Sequence, residues 1–441
     1  MIGKRGGLGR SETRLWLFGT TAALVMTAAG TAEAAGFYLQ EQSVRGWGRA
    51  NSGEVADQGP ASLWWNPAAI AGATEAEAAF GATGILPSGR VSDSGTLIDR
   101  PGAPPEPVGG LPRLRDPILR GIAPNNAFAL PLGERIALGL AVTAPFSFTS
   151  QYDPSGWQRY SAIRTRLLTL DFQSSVAVKA TDWLSVGAAL NVQYSDAWLS
   201  NALPNLAPGS PDARLRLTGN GWDLGWSAGL QLRPSERVSI GIAYKSAIEH
   251  KTRGPIEVTG LTGALAARNT SGPATVRFTT PWQLLAGARV GITEGLTLNA
   301  QAVHFGWSKF DILDISGPVN NAIVQNYKDT WSLAVGFDQS LGEQLTLRAG
   351  VQIDPTPTRD ANRDPRVPDG DRVNYNVGAT YRMSERITLD AAASLTDVEA
   401  SPINRDERFY AGTPAQTDVL TEGRVDRQRV LILALGGRMS F

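Results

Sequence analysis

Leu345-Thr346-Leu347-Arg348-Ala349-Gly350-Val351-Gln352-Ile353-Asp354 places an apolar residue at every second position, with polar, charged or glycine residues between. Successive side chains of a strand point to opposite faces, so this stretch has one greasy face and one wet face. The pattern returns at Leu184 to Tyr194, Val238 to Tyr244, Val373 to Met383 and Ile387 to Leu395. Counting back from Phe441, Met439, Gly437, Leu435, Leu433 and Leu431 share one face; Ser440, Arg438, Gly436 and Ala434 share the other. A soluble antiparallel sheet also alternates, so the pattern by itself fits either a membrane barrel or a periplasmic β-sandwich. The two chain ends and the connections decide between them.

At the start, Lys4, Arg5, Arg10 and Arg14 precede an apolar stretch from Leu15 to Ala29, and Ala32-Glu33-Ala34 has the form of a cleavage site. This predicts an export signal over 1–34 rather than an uncleaved anchor. No later run of eighteen apolar residues occurs, so no helical span is expected. Lys+Arg and Asp+Glu both number 41, which gives no electrostatic reason to expect a nucleic-acid partner. The absence of cysteine removes disulfide and thiolate chemistry. With two histidines, His250 and His304, and no Ser, Asp or Glu at a telling spacing from either, neither a metal site, a cofactor nor an enzyme is expected.

Strands are predicted near 74–86, 122–131, 135–147, 161–181, 183–200, 212–233, 236–252, 276–293, 295–312, 327–341, 343–354, 371–384, 386–400 and 425–441. Tight turns at 132–134, 181–182, 233–236, 292–295, 341–343 and 383–386 carry Gly, Asp, Asn or Pro chemistry. The intervening loops, such as 87–121, 253–275 and 401–424, are longer and rich in Pro, Gly and charge. Short turns on one side and long loops on the other are the outer-membrane barrel pattern. Lipid offers no partner to an open sheet edge, so the last strand must pair with the first. The expected fold is therefore all-β: a 14-stranded antiparallel transmembrane β-barrel over 73–441.

Residues 35–72 do not read as a strand. Asn66-Pro67 reads locally as a helix start, with Asn66 as cap and Pro67 in the first turn. Pro145, in Ala144-Pro145-Phe146-Ser147, cannot donate to a ladder, so it either breaks the third strand or ends it at the rim. Val303, Phe305 and Trp307 add apolar bulk on the lumen-facing register of their strand, where a water channel would place charge. An aromatic girdle or a register-flipping bulge would explain Phe305 and Trp307 equally well. Arg348, Asp354, Arg372 and Lys328 are inward charged candidates, either anchors for a ligand head group or partners of one another.

The segment from Ala35-Gly36-Phe37 through its glycine-rich middle to Asn66-Pro67-Ala68 resembles the N-terminal hatch of the FadL family, the long-chain fatty acid transporters of Gram-negative outer membranes. Gly156-Trp157-Gln158-Arg159-Tyr160, Gly241 to Ser246, Gly306-Trp307-Ser308-Lys309-Phe310, and Arg366 to Arg372 followed by Gly378 and Tyr381 are similar to further family motifs, in order along the chain. The amphipathic final strand ending in Phe441 resembles the signal read by the barrel-assembly machinery. The resemblance implies a monomeric barrel in the outer membrane, closed by a hatch over 35–72 with Asn66, Pro67 and Ala68 in the gate. It implies capture of a hydrophobic small molecule, foremost a long-chain fatty acid, with neutral aromatic or alkane hydrocarbons as the alternative. Asp354 matches an acidic position near the family's inner pocket. Exit into outer-membrane lipid would be passive and sideways, past Pro145, Phe146 and Ser147.

Overall fold

The computed structural model describes residues 36–441; the expected signal segment and Ala35 lie outside the described residues. Alternation becomes strand wherever expected. The wall consists of β1 Glu77–Ser88, β2 Gly121–Pro131, β3 Ile136–Thr143 resuming at Phe148–Gln151, β4 Arg164–Lys179 and β5 Leu184–Leu203. It continues with β6 Ala213–Ser235, β7 Val238–Lys245 and Ile248–Thr259, β8 Thr270–Thr280 and Trp282–Gly291, β9 Leu296–Gly306 and β10 Thr330–Leu341. β11 Leu345–Asp354, β12 Arg372–Arg382, β13 Ile387–Val398 and β14 Gln428–Ser440 complete it. Each strand pairs antiparallel with the next, and β14 closes on β1 from Glu77↔Ser440 to Ser88↔Arg429. The barrel is closed and 14-stranded. No helix among the described residues is long and apolar enough to cross a membrane.

The two faces separate as the period of two requires. On β14, Leu431, Leu433 and Leu435 are exposed while Val430, Ile432 and Ala434 are buried. On β11, Leu347, Val351 and Ile353 point out, and Arg348, Gln352 and Asp354 point into the lumen. An exposed apolar surface running around the whole wall fits a lipid-facing band. Outward aromatic neighbours follow one another across five strands: Trp226–Tyr244 at 5.2 Å, Tyr244–Trp282 at 6.1 Å, Trp282–His304 at 5.1 Å and His304–Trp331 at 4.5 Å. This row forms part of an aromatic girdle.

All six expected tight turns join consecutive wall strands on one side. The opposite side departs from expectation. The stretches 87–121 and 401–424, read as loops, contain Arg90–Asp93, Leu97–Asp99, Arg113–Arg115, Ser401–Phe409 and Thr417–Val425, which pair into a separate small sheet. Its strands face protein and water rather than lipid, so they lack the apolar face by which the wall strands are recognised. β7 and β8 likewise extend into the expected loop 253–275. β9 ends at Gly306, earlier than predicted, because Trp307–Lys309 turns in a 3-10 helix.

Residues 36–72 lie inside the barrel and are almost wholly buried. They form an α-helical turn at Val44–Trp47 and 3-10 turns at Glu54–Ala56, Pro60–Ser62 and Pro67–Ile70. Wall glycines let this backbone approach closely. A Cβ on Gly241 would sit 2.1 Å from the Val55 carbonyl oxygen, and one on Gly350 would sit 2.2 Å from that of Arg49. Any larger residue there would push the lumenal segment off the wall.

Candidate functional site

Towards the long-loop end, the lumen holds an aromatic cluster built around Phe37. Its ring lies 4.8 Å from Phe310, 5.1 Å from Trp307, 5.9 Å from Phe146 and 6.0 Å from Phe148, the first three edge-on. Tyr38 packs on Phe305 at 5.1 Å and on Phe146 at 5.3 Å. Tyr327 joins through Phe310 at 4.9 Å. Phe305 takes the lumenal register of β9; Trp307 lies just past the strand end, buried in the same cluster.

The cluster backs directly onto an interruption of β3. Its ladder with β2 stops at Asn125↔Thr143, and pairing with β4 resumes at Phe148↔Leu167. Ala144, Pro145, Phe146 and Ser147 are all buried, so the break is internal to the wall rather than at its rim. Proline has no N–H to give, and its neighbours' backbone groups find substitutes. The Phe146 amide donates to Thr169 Oγ1 (2.9 Å), whose hydroxyl donates back to the Phe146 carbonyl (2.8 Å). On the lumenal side, the Leu39 amide donates to the Pro145 carbonyl (2.7 Å) and the Ser147 amide to the Phe37 carbonyl (3.2 Å). Residues 37–39 thus act as a short strand laid against the break. Gln42 continues the contact, its Nε2 donating to the Ala144 carbonyl and its Oε1 accepting from the Ala144 amide, both at 3.3 Å. Beside it, the Glu41 carboxyl is buried, and desolvation raises its pKa to about 7.

Asn66, Pro67 and Ala68 form the start of a 3-10 turn. Asn66 Oδ1 accepts from the Ala68 amide (2.9 Å), and its Nδ2 donates to the carbonyls of Val55 (2.8 Å) and of wall residue Leu230 (3.0 Å). The side chain therefore caps the turn and ties it to β6 at once. Gly229 leaves the room: a Cβ there would meet Asn66 Oδ1 at 2.0 Å.

The inward charged residues pair within the protein. Arg348 Nε lies 2.5 Å from Asp338, and Arg372 is paired with Asp369. Asp354 accepts from Gln40 Nε2 at 2.6 Å, beneath the aromatic cluster. Lys328 is exposed in the connection before β10 and lies outside the buried cluster. Sequence reasoning missed a larger network nearer the tight-turn end. Arg49 binds Glu54, Asp57 at 2.6 Å and Asp338 at 3.4 Å, and Arg289 reaches Asp57 at 3.3 Å and Asp338 at 3.2 Å. Alternation places Arg289, Asp338 and Arg348 inward, but nothing in spacing identifies Arg49 and Asp57 as their partners. Phe37 was missed as a site residue for the same reason: its ring neighbours come from β3 and from the connection between β9 and β10, which meet only in the fold.

The geometry finds counterparts. The family model described as outer membrane protein transport protein (OMPP1/FadL/TodX) matches residues 25–441. Outer membrane protein P1 of Haemophilus influenzae is 26% identical over 409 residues, covering 84% of this chain and 87% of the relative. The long-chain fatty acid transport protein of Salmonella typhi is 24% identical over 435 residues, covering 89% and 94%. The crystal structure of a Pseudomonas aeruginosa FadL homologue superposes with a TM-score of 0.80 at 25% identity, covering 92% of this chain and all of that one.

Proposed function

The chain belongs to the OMPP1/FadL/TodX family of outer-membrane transport proteins, and from that premise we propose that it admits long-chain fatty acids passively, with residues 36–72 as the gate and the β3 break as a lateral exit. The observation that carries this reading is the placement of an aromatic cluster directly behind a wall interruption that residues 37–39 and Gln42 cover from the lumen. A pocket for a greasy ligand wants mostly apolar walls with few polar anchors, and the cluster supplies them.

Physical chemistry then favours the direction of exit. An alkyl chain leaving water gains roughly 25 cal/mol per Å² of apolar surface. Passing sideways into the bilayer keeps that gain. Passing downward would take it through the ion pairs around Arg49, whose disruption leaves buried charge uncompensated at about 3–5 kcal/mol. The ligand would displace Phe37 from its ring contacts, and residues 37–39 would leave the break as the ligand arrives.

The test is Pro145→Val, which restores an amide donor to the third strand. Uptake of a labelled long-chain fatty acid should fall towards that of cells lacking the protein. Full uptake by a variant whose structure has a continuous β3 refutes the lateral route.

A further inference from the structure

A second interruption of the wall lies between β6 and β7, away from the β3 break. The ladder holds from Ser235↔Val238 up to Ser227↔Lys245 and is next registered at Asn220↔Arg253. Residues 221–226 of β6 and 246–252 of β7 face one another between these points with no registered pair. On its other side β6 remains paired to β5 through the same stretch, from Tyr194↔Trp222 to Leu190↔Trp226. The fault is therefore confined to one seam. Its lower edge is held by Ser246, whose amide donates to the Trp226 carbonyl (2.9 Å) and whose Oγ accepts from the Trp226 amide (3.0 Å). Its upper edge is held by Asp223, which accepts from the Lys251 amide at 3.2 Å and lies 3.3 Å from His250 Nδ1. Irregular backbone at membrane depth is tolerated where it is covered by protein or lines a cavity.

A cavity does lie there, and its lining crosses the wall. It runs from Trp64 and Phe146 in the lumen, past Lys245 and Gln193, to Trp226 and Ser246. Trp226 is exposed on the bilayer face, within the aromatic girdle. Lys245 is buried, and its Nζ has no hydrogen-bond partner among the described residues; it sits 3.4 Å above the Trp64 ring. Asp171 is the acid facing this space, but Asn191 Nδ2 (2.7 Å) and Gln193 Nε2 (2.9 Å) already donate to its two oxygens. Lys245 Nζ is thus a donor left without a hydrogen bond, with Asp171 as the facing negative charge. The space beside Nζ is tight, with room for about one water-sized group (about 20 Å³), so an occupant must present a compact head and anything larger needs Ile248 to yield. Behind the seam, an aliphatic side chain already occupies the gap: Ile248 Cδ1 would lie 2.7 Å from a Cβ on Gly225.

We propose that Lys245 and the β6–β7 seam form a second binding site, which holds the carboxylate of a single-chain amphiphile in the wall while its alkyl chain replaces Ile248 and passes beside Trp226 into the bilayer. The site rests on the transport reading only for the class of molecule presented to it. Its cavity meets the Phe37 cluster at Phe146, but the ladder fault and Lys245 lie on β6 and β7, which contribute no ring to that cluster.

The experiment uses the full barrel in lipid nanodiscs with a long-chain fatty acid carrying a mid-chain diazirine, photolysed and mapped by peptide mass spectrometry. The matching diazirine alcohol is the control. Label on 222–226 and 246–248, several-fold stronger for the acid than for the alcohol, is the expected result. Lys245→Met should abolish that preference, Lys245→Arg should retain it, and Ile248→Ala should raise seam labelling. Label confined to 37–39 and 305–310 overturns the seam site while supporting the aromatic cluster. Label confined to the seam supports this site and counts against the cluster as the ligand's station. Equal labelling by acid and alcohol, or labelling unchanged in Lys245→Met, overturns the role given to Lys245. The wild-type map needs no variant to fold.

Discussion

Phe37→Ala separates a gate from a wall. The phenyl ring is buried against four aromatic neighbours at 4.8–6.0 Å. Truncating a buried Phe to Ala costs about 3–5 kcal/mol, part of it the unfilled cavity. If residues 37–42 undock as a unit, most of that cost falls on docking, because the barrel ladder does not depend on this ring. At about 1.4 kcal/mol per tenfold, the lower figure raises the undocked population roughly 100-fold. Two amides report on docking from opposite sides: Leu39, which donates to Pro145, and Ser147, which donates to Phe37. Hydrogen–deuterium exchange of the purified barrel should therefore accelerate by about two orders of magnitude in peptides covering 37–42 and 144–150. Peptides from β10 to β12 should exchange as in the wild type. Unchanged exchange at Leu39 and Ser147 refutes the reasoning, as does an equal acceleration across the whole barrel, which would make Phe37 a part of the global fold.

Asn66→Ala removes a cap and two side-chain donations, and should loosen the 3-10 turn by about 2–3 kcal/mol. Proteolysis within 60–70 should increase while the heat-induced mobility shift of the barrel stays in place. Glu41, raised to about 7 by burial from an ordinary 4.5, binds its proton more tightly docked than free. Docking is then favoured at low pH and weakens as pH rises from about 4.5 through about 7; exchange of residues 37–42 should increase over that window, and Glu41→Gln should flatten the dependence. Deleting residues 36–72 should leave a folded barrel that conducts small ions. Single-channel conductance equal to that of the intact protein would count against a plug.

The wall was legible because lipid makes a strict demand. Every spanning strand needs an apolar outer face, and turns on the tight side are too short to hide much else, so period two and turn chemistry located all fourteen strands. The sheet over the long-loop end was not legible. Strands such as Ser401–Phe409 alternate Pro402, Asn404 and Asp406 with Ile403, Arg405 and Glu407, and neither set is greasy enough to mark a face. Pro145 signalled its break through a rule about one residue, the missing donor. The fault between β6 and β7 left no such mark, because Gly225 and Ser246 fit an ordinary strand and the misregister exists only between two segments. Charged lumenal residues could be assigned to the inside one by one. Their partners could not, since Arg49, Asp57, Arg289 and Asp338 meet only after closure.

That closure divides the lumenal segment into two parts with different physics. Residues 45–57 are fixed to β8 and β10 through paired ions that are costly to separate once buried. Residues 37–42 are held by aromatic contacts, a few backbone bonds and the neutral side chains of Gln40 and Gln42, and a hydrophobic ligand can replace the aromatic contacts with contacts of the same kind. An apolar ligand has little to offer the first part and much to offer the second. On the proposed reading, binding therefore shifts the second part alone, since a ligand moves an equilibrium only by its differential interaction with the two states. The ion-paired part stays in place as the floor of the pocket. The β3 break lies beside the part that can move, so the same contact that recognises the ligand also uncovers the way out.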